Sequence, residues 1–514
     1  MSERVSENIP DRSINEPIGV FFTPYKWAKW VITKFEIFDS WLNGATIFDP
    51  TAGEGIFLEV LIDLAISQDI KITDEMLNRL WANETQTESI DYFLNKTNKR
   101  DLDFPTANFL HSDILFLSQA LQVDIIVGNP PWQNFNNLCQ DYKQKLKPLF
   151  YKYGLVNKSQ DLLLGSSRID LAALIIAKTL QENLKPNGKA YFFMPLSVFL
   201  NDGAGRGFRS YQINQTEFCV QQIYDFKNLI IFEHVHTRYG LVEFQRDHQQ
   251  EFPIKYFIQQ NSEWQEYQAR PLFQRNESLT ILKSVEEYIE LQNYDKIKIL
   301  KDSKPRQGAN SCGASDVFIF SALEVIDYEL VRVANKVVGE ITLPQKFLFP
   351  LITKQNFKQT QPIPDKYILL PYDRERGKPL LPTELIEYPE LWQYLLSRQE
   401  ILQNRRGTLI QSSIRNGFWY ALLGVGKYTF TAYKVVWQAY GQKNFTAKLF
   451  DGNWQGNQAI HAYIPVSSKV EGEDLIDRLN TPIVEKYLHS LQMEGTCNWA
   501  QPGRIMRLLE IVQA

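Results

Sequence analysis

Short apolar runs alternate with longer helical stretches through the first half of the chain. Ala45–Asp49, Leu80–Asn83, Asp124–Gly128 and Ala190–Met194 are brief, rich in branched and aromatic residues and bounded by turn formers, which predicts buried strands. Ile56–Ile66 and Leu171–Leu184 are long enough to be helices, the second stopped by Lys185-Pro186-Asn187-Gly188. Strand–helix alternation of this kind predicts an α/β layer, a parallel sheet with helices on both faces, whose ligands bind at the carboxyl ends of the strands. After about residue 262 the pattern loosens. Glu387–Arg405 reads as a helix and Phe430–Val436 and Ala459–Val466 as strands, with irregular aromatic-rich segments between them. The expected organisation is a tail over 1–18, a first domain over 19–260 and a mixed α+β second domain over 261–514.

Composition narrows the class. The 514 residues correspond to roughly three domains at about 150 each. With 44% hydrophobic and 22% charged residues the chain is globular rather than disordered. No apolar run approaches the roughly 18 residues of a membrane span, and Met1–Pro10, with Glu3, Arg4 and Glu7, lacks the apolar core of a secretory leader. Cys139, Cys219, Cys312 and Cys497 form no CxxC pair, which argues against a zinc knuckle and for a reducing compartment, so the cytoplasm is the expected location. A net charge of −4 gives no global case for a polyanion partner. The distribution does: residues 401–450 hold seven basic residues and no acidic one.

The loop Asp49-Pro50-Thr51-Ala52-Gly53-Glu54-Gly55 closes one strand and opens a helix. Its glycines permit close backbone approach to a ligand, and its acid suits a cation or hydroxyl. By itself it reads equally well as a tight turn, and no Lys-Ser/Thr follows to make it a nucleotide-hydrolase loop. Glu84, after the second strand, and Asp113 would each be a surface acid if isolated. Asn129-Pro130-Pro131-Trp132 is the sharpest signal. It ends a strong strand, its prolines stiffen the turn, the Asn oxygen and the Pro130 carbonyl could accept from one amino group, and Trp132 offers a stacking face.

Gly19-Val-Phe-Phe-Thr-Pro24, then Asp49 to Gly55, then Asn129-Pro-Pro-Trp132, in that order, resemble the gamma group of S-adenosylmethionine-dependent N6-adenine DNA methyltransferases, many of them from restriction–modification systems. The likeness in motifs runs from about residue 19 to 246. It implies a Rossmann-like methyltransferase sheet followed by a target recognition domain. Carried over residue by residue, Thr23 and Pro24 would touch the methionine end of the cofactor. Asp49, Pro50, Ala52, Gly53 and Gly55 would surround it, Glu84 would bind its ribose, and Asp113 and Ile114 would frame its adenine. Asn129, with Pro130 and Pro131, would hold the target amine. Trp132 would stack on the flipped base and Phe232 would contact it from another side, while Asp170-Leu171 opens the next motif's helix. The chain departs from the group's pattern with Trp at 132, where Tyr or Phe is usual, and with His234 and His236 after Phe232. No partner spacing makes those histidines metal ligands, and no metal is expected.

The implied chemistry is direct methyl transfer to the amino nitrogen, with the base out of the duplex and no covalent enzyme intermediate. Arg306 to Phe318 resembles a segment that recurs at the start of the group's recognition domains. Arg405, Arg406, Arg415, Lys427 and Lys434, interleaved with aromatics, are then the expected contacts to double-stranded DNA. Any restriction endonuclease is expected on a separate protein, and one recognition domain per chain points to a monomer. Methylation of RNA adenine or protein glutamine, or a DNA-binding subunit without turnover, are the competing readings.

Overall fold

A computed structural model describes residues 21–118, 120–156, 170–201, 205–233, 235, 237–282, 284–440, 444–457, 461–490 and 500–512. The chain divides into two compact units at Tyr288/Ile289.

The first unit is built on one sheet of eleven strands: β1 (Ile47–Asp49), β2 (Leu80–Glu84), β3 (Phe109–His111), β4 (Val123–Gly128), β5 (Leu184–Pro195), β6 (Gln212–Ile213), β7 (Thr216–Asp225), β8 (Tyr239–Arg246), β9 (Ile254–Gln260), β10 (Glu263–Arg270) and β11 (Thr280–Leu282). Their order is 11-10-9-7-8-5-4-1-2-3, with β6 attached to β7. β3, β2, β1, β4 and β5 are mutually parallel, whereas β8 runs antiparallel between β5 and β7. The parallel centre is buried on both faces, which is why its strands read as unbroken apolar runs. The order reverses between β1 and β4, and that switch point leaves a crevice at their carboxyl ends.

The predicted strands and helices of this half are present, and Ile56–Ser67 and Leu171–Glu182 are the two apolar helices. One difference is that β5 begins at Leu184, so Lys185–Gly188 lies inside a strand. Asn187 takes a left-handed φ of 62° there and the register against β4 shifts. Another is the boundary. β10 and β11 extend the same sheet to Leu282, so the first unit continues past residue 260.

The second unit holds an antiparallel five-stranded sheet and an antiparallel four-stranded sheet of Arg306–Gln307, His461–Val466, Tyr433–Gln438 and Ala447–Asp451. The predicted helix Glu387–Arg405 is broken at Arg398 into Pro389–Ser397 and Gln399–Gln403. The predicted strand Phe430–Val436 starts late, because Gly426–Phe430 closes a 3-10 turn in which the Gly426 amide donates to Thr429 Oγ1. Among the described residues no helix is long and apolar enough to cross a membrane.

Candidate active site

The crevice holds a cavity of about 590 Å³ lined by Thr23, Asp49, Pro50, Ala52, Gly53, Glu84, Asp113, Ile114, Asn129 and Pro131, ten of the residues singled out in the sequence. The fold assembles them from the ends of four parallel strands. Asp49 ends β1, Glu84 ends β2, Asp113 follows β3 and Asn129 follows β4. Thr23 arrives from the segment ahead of the helix Tyr25–Lys34, whose first turn is capped by the Pro24 carbonyl.

Asp49 is 1% exposed, and its Oδ1 accepts from the Thr51 amide at 3.1 Å. Burial pushes its carboxyl up to about 8, with the Glu84 carboxylate adding to the rise and the Thr51 amide opposing it. A buried carboxyl of this kind is poised for a cationic ligand. Glu84 is held by the backbone. Its Oε2 accepts from Gly53 N at 2.9 Å, and its Oε1 accepts from Thr85 N and Gln86 N at 2.7 and 3.1 Å. Gly53 takes a positive φ of 54° and a Cβ there would lie 3.3 Å from Phe22. Gly55 starts the helix at φ 75°, where a Cβ would strike the Phe93 ring at 2.4 Å. Gly55 thus shapes the loop from behind rather than lining the cavity.

Asn129 carries the most informative geometry. Its Nδ2 donates to the Phe21 carbonyl at 2.8 Å and to Thr23 Oγ1 at 3.3 Å, which fixes the amide's orientation. Its Oδ1 is then left buried with no partner among the described residues. A buried acceptor without a donor is costly and points to a ligand that supplies one. Pro130, next in the chain, is buried. The ring of Trp132 is covered in this structure rather than presented as an open face. Trp132 is 7% exposed, donates Nε1–H to the Phe193 carbonyl at 3.3 Å, and packs against Phe21, Phe232 and Tyr239 with ring centroids 5.4, 5.0 and 5.2 Å away. Phe232 is 4% exposed and meets Trp132 edge-on at 85°. Both predicted base-contacting rings are gathered beside Asn129, in a closed aromatic cluster.

Several supporting residues escaped sequence reasoning. Asn83 is buried and ties three strand ends together, donating to the Pro50 and Ser112 carbonyls and accepting from Ser112 Oγ. Its only signal was its place before Glu84. Tyr142 donates to Asp113 Oδ2 at 2.8 Å from a helix 29 residues along the chain, and nothing local announces it. Asp170, by contrast, was expected to open a helix and does so: it caps Leu171–Glu182 through the Ala172 amide at 3.0 Å and also accepts from the Gln133 amide, tethering the segment after Trp132; burial pushes its carboxyl up to about 7. Tyr25, Glu59, Tyr92 and Lys96 extend the cavity wall, with Lys96 paired to Glu59 at 2.7 Å.

In the second unit the five predicted DNA contacts separate. Arg406, Arg415 and Lys427 are exposed. Arg405 is 4% exposed and donates to the backbone carbonyls of Leu402, Ser311, Ala421 and Trp419 at 2.6–3.1 Å, so it is an internal strut. Lys434 is fully buried, donates to the Thr431 carbonyl at 2.8 Å, and is pushed down to about 7 by burial. Neither is available to a phosphate, because the sheet and helix ends around them took up the charge that composition assigned to the surface. His234, His236, Lys443 and Cys497 lie outside the described residues.

The strand order and the crevice at its switch point are those of an open, doubly wound α/β sheet, and the crevice gathers a buried carboxyl at the end of β1 with acids at the end of β2 and just after β3. Residues 32–232 carry a domain that matches the family described as Eco57I restriction-modification methylase, which bears out the resemblance drawn from the motifs. Two curated relatives from Haemophilus influenzae, the Type II methyltransferases M.HincII and M.HindII, are each 26% identical over 212 residues, 40% of this chain and 34% and 32% of theirs. The chain thus spans about a third of the length of these relatives. Similar folds occur in the Type IIL restriction-modification enzyme MmeI, solved in complex with DNA (TM-score 0.56, 12% identity, 92% of this chain and 62% of that one), and in a nuclease-deletion mutant of the Type ISP enzyme LlaGI with a DNA substrate mimic (TM-score 0.53, 12% identity, 94% and 52%).

Proposed function

We propose that this chain is a DNA methyltransferase that moves the methyl group of S-adenosylmethionine to the N6 nitrogen of an adenine turned out of double-stranded DNA, in a restriction–modification or related phage-defence system. The observation that carries the reading is the Asn129 Oδ1, buried, oriented by two hydrogen bonds on the same amide, and without a donor among the described residues. An exocyclic amine presents such a donor. Accepting its hydrogens on Asn129 Oδ1 and on the neighbouring Pro130 carbonyl draws the nitrogen lone pair out of conjugation with the ring and makes it a better nucleophile. S-adenosylmethionine, when bound, supplies a methyl group on a sulfonium centre open to in-line attack.

Placement around the cavity supports the remaining roles. Asp49 would hold the cationic end of the cofactor, Glu84 its ribose hydroxyls, and Asp113 with Ile114 its adenine. Catalysis would come from positioning and from fixed acceptors. Phe232 and Trp132 would enclose the target base once the aromatic cluster parts. The second unit would read the site, with Arg406, Arg415 and Lys427 on phosphates. The enzyme would work in the cytoplasm as a monomer, and any endonuclease would be a separate partner.

The test is single-molecule sequencing of DNA from a methylation-free host expressing the chain, beside an Asn129→Ala control. The expected result is N6-methyladenine at one short motif, absent in the control, with cofactor affinity retained by the purified variant. DNA without any mark moves the target to RNA or protein, or leaves a binding subunit without turnover.

A further inference from the structure

The β7–β8 connection emerges on the edge of the sheet that carries Asn129, since Tyr239 and Gly240 pair with Pro195 and Met194 at the carboxyl end of β5. Its first part is held unusually firmly for a loop. The Tyr239 hydroxyl donates to the Leu229 carbonyl at 3.1 Å and accepts from the amides of Ile231 and Phe232 at 2.9 and 3.4 Å. Asn228 Nδ2 donates to the Gln259 carbonyl at 2.7 Å, and the Lys227 amide donates to Asp225 Oδ1 at 3.0 Å. Asp225 is itself fully buried against Arg238 and the Tyr256 hydroxyl.

Within this pinned backbone the side chains divide sharply. Ile231 and Phe232 are 7% and 4% exposed and face the aromatic cluster around Trp132, whereas Ile230 is 90% exposed. A single aliphatic side chain in water is ordinary on a protein surface. A β-branched one held out by a rigid backbone, two residues from the ring beside the target-amine site, is placed for work. We propose that Ile230 is the wedge that enters the base stack as the target adenine leaves it, and that Tyr239 is the positioning residue that fixes its projection. An apolar side chain filling the vacated space offsets part of the cost of unstacking, which water alone would not do. Tyr239 performs two tasks with one side chain, its hydroxyl pinning the loop and its ring packing on Trp132. The proposal rests on the reading of the chain as a base-flipping DNA methyltransferase.

The experiment compares the full-length chain with Ile230→Ser, Ile230→Leu and Tyr239→Phe on two duplexes carrying the motif that sequencing identifies. In one the target adenine is paired; in the other it faces an abasic position. For Ile230→Ser we expect unchanged cofactor affinity and thermal midpoint, and kcat/KM on the paired duplex lowered by roughly tenfold or more. Most of that loss should vanish on the abasic duplex, where the adenine is already weakly held. Ile230→Leu should keep the rate. Tyr239→Phe keeps the ring on Trp132 but frees the loop, and should show the same loss and rescue. Equal losses on both duplexes, or no loss with Ile230→Ser, overturn the wedge while leaving the methyltransferase reading intact. If the unaltered chain marks no DNA, the functional reading fails and the wedge fails with it, a result read from the unaltered chain alone.

Discussion

Two stretches of the sequence promised chemistry, and the structure treats them differently. At the carboxyl edge of the parallel sheet, residues from four separate strand ends converge on one cavity. In the basic stretch 401–450, the charges divide between the surface and the core: Arg406, Arg415 and Lys427 are exposed while Arg405 and Lys434 are buried. A motif at a strand end is a statement about backbone geometry, because glycine, proline and a side-chain acceptor are there for the turn they make. A run of like charges is a statement about composition, and composition does not say which guanidinium finds four carbonyls inside the fold. The contrast yields experiments that can break it.

The largest effect should come from Asn129. Asn129→Ala removes the orphan acceptor and the links to Phe21 and Thr23, so methyl transfer should fall by roughly 10³-fold or more while cofactor affinity changes little. Single-turnover kinetics beside calorimetric cofactor binding separates the two. Equal losses in both would make Asn129 a structural residue and erase the contrast with Arg405. For Arg405 the expectation is reversed. Arg405→Met takes the guanidinium donor away from four carbonyls, of which that of Ser311 keeps an amide donor, from Ala314, and should cost about 3–5 kcal/mol in urea unfolding, with no change in the salt dependence of DNA binding. A stable variant with weakened, salt-flattened binding would return Arg405 to the interface.

Much of the first unit was legible because parallel strands buried on both faces announce themselves as apolar runs, and because Asp49, Gly53, Glu84 and Asn129 stand at fixed offsets from them. The parts that were not legible depend on distant partners. Asn83 acts by bonding to Pro50 and Ser112, and Tyr142 by reaching Asp113 across 29 residues; neither relation leaves a local pattern. A rigid loop with a buried tryptophan was one of the readings open for Trp132, but the rings that cover it, Phe21, Phe232 and Tyr239, lie far along the chain and left no local pattern. In the second unit, Arg398 breaks a helix whose apolar periodicity ran on past it.

Asp49 sharpens the comparison at intermediate size. Its folded carboxyl sits near 8, above the ordinary value of 3.8, so the empty folded chain keeps a proton that the unfolded chain has lost. Its contribution to the stability of the empty protein therefore declines as pH rises from about 4 to about 8. A cationic ligand binds the ionised form, so cofactor affinity should rise by up to about tenfold per pH unit from pH 6 and flatten near 8. Titration calorimetry in two buffers of different ionisation enthalpy should show close to one proton released at pH 7. In Asp49→Asn that release and the pH dependence should both be lost; persistence of either would place the cation elsewhere.

Lys434 and Lys427 give the smallest effects and the cleanest separation, because they lie seven residues apart in one basic stretch and differ in burial. The Lys434 ammonium has one backbone acceptor, and burial lowers its value from 10.5 to about 7. Between those values the folded chain has given up a proton that the unfolded chain still holds, so stability should rise with pH from about 7 to 10. Lys434→Met fills the same space without the charge. It should raise stability at pH 7 by about 1–3 kcal/mol, flatten that pH dependence, and leave the salt slope of DNA binding untouched. Lys427→Ala should do the opposite: no change in unfolding beyond about 0.5 kcal/mol, and a salt slope reduced by about one. Each variant serves as the control for the other. If Lys434→Met lowers the slope as Lys427→Ala does, burial in the free chain does not decide which cations meet the phosphates, and the sheet around Lys434 must open when DNA binds.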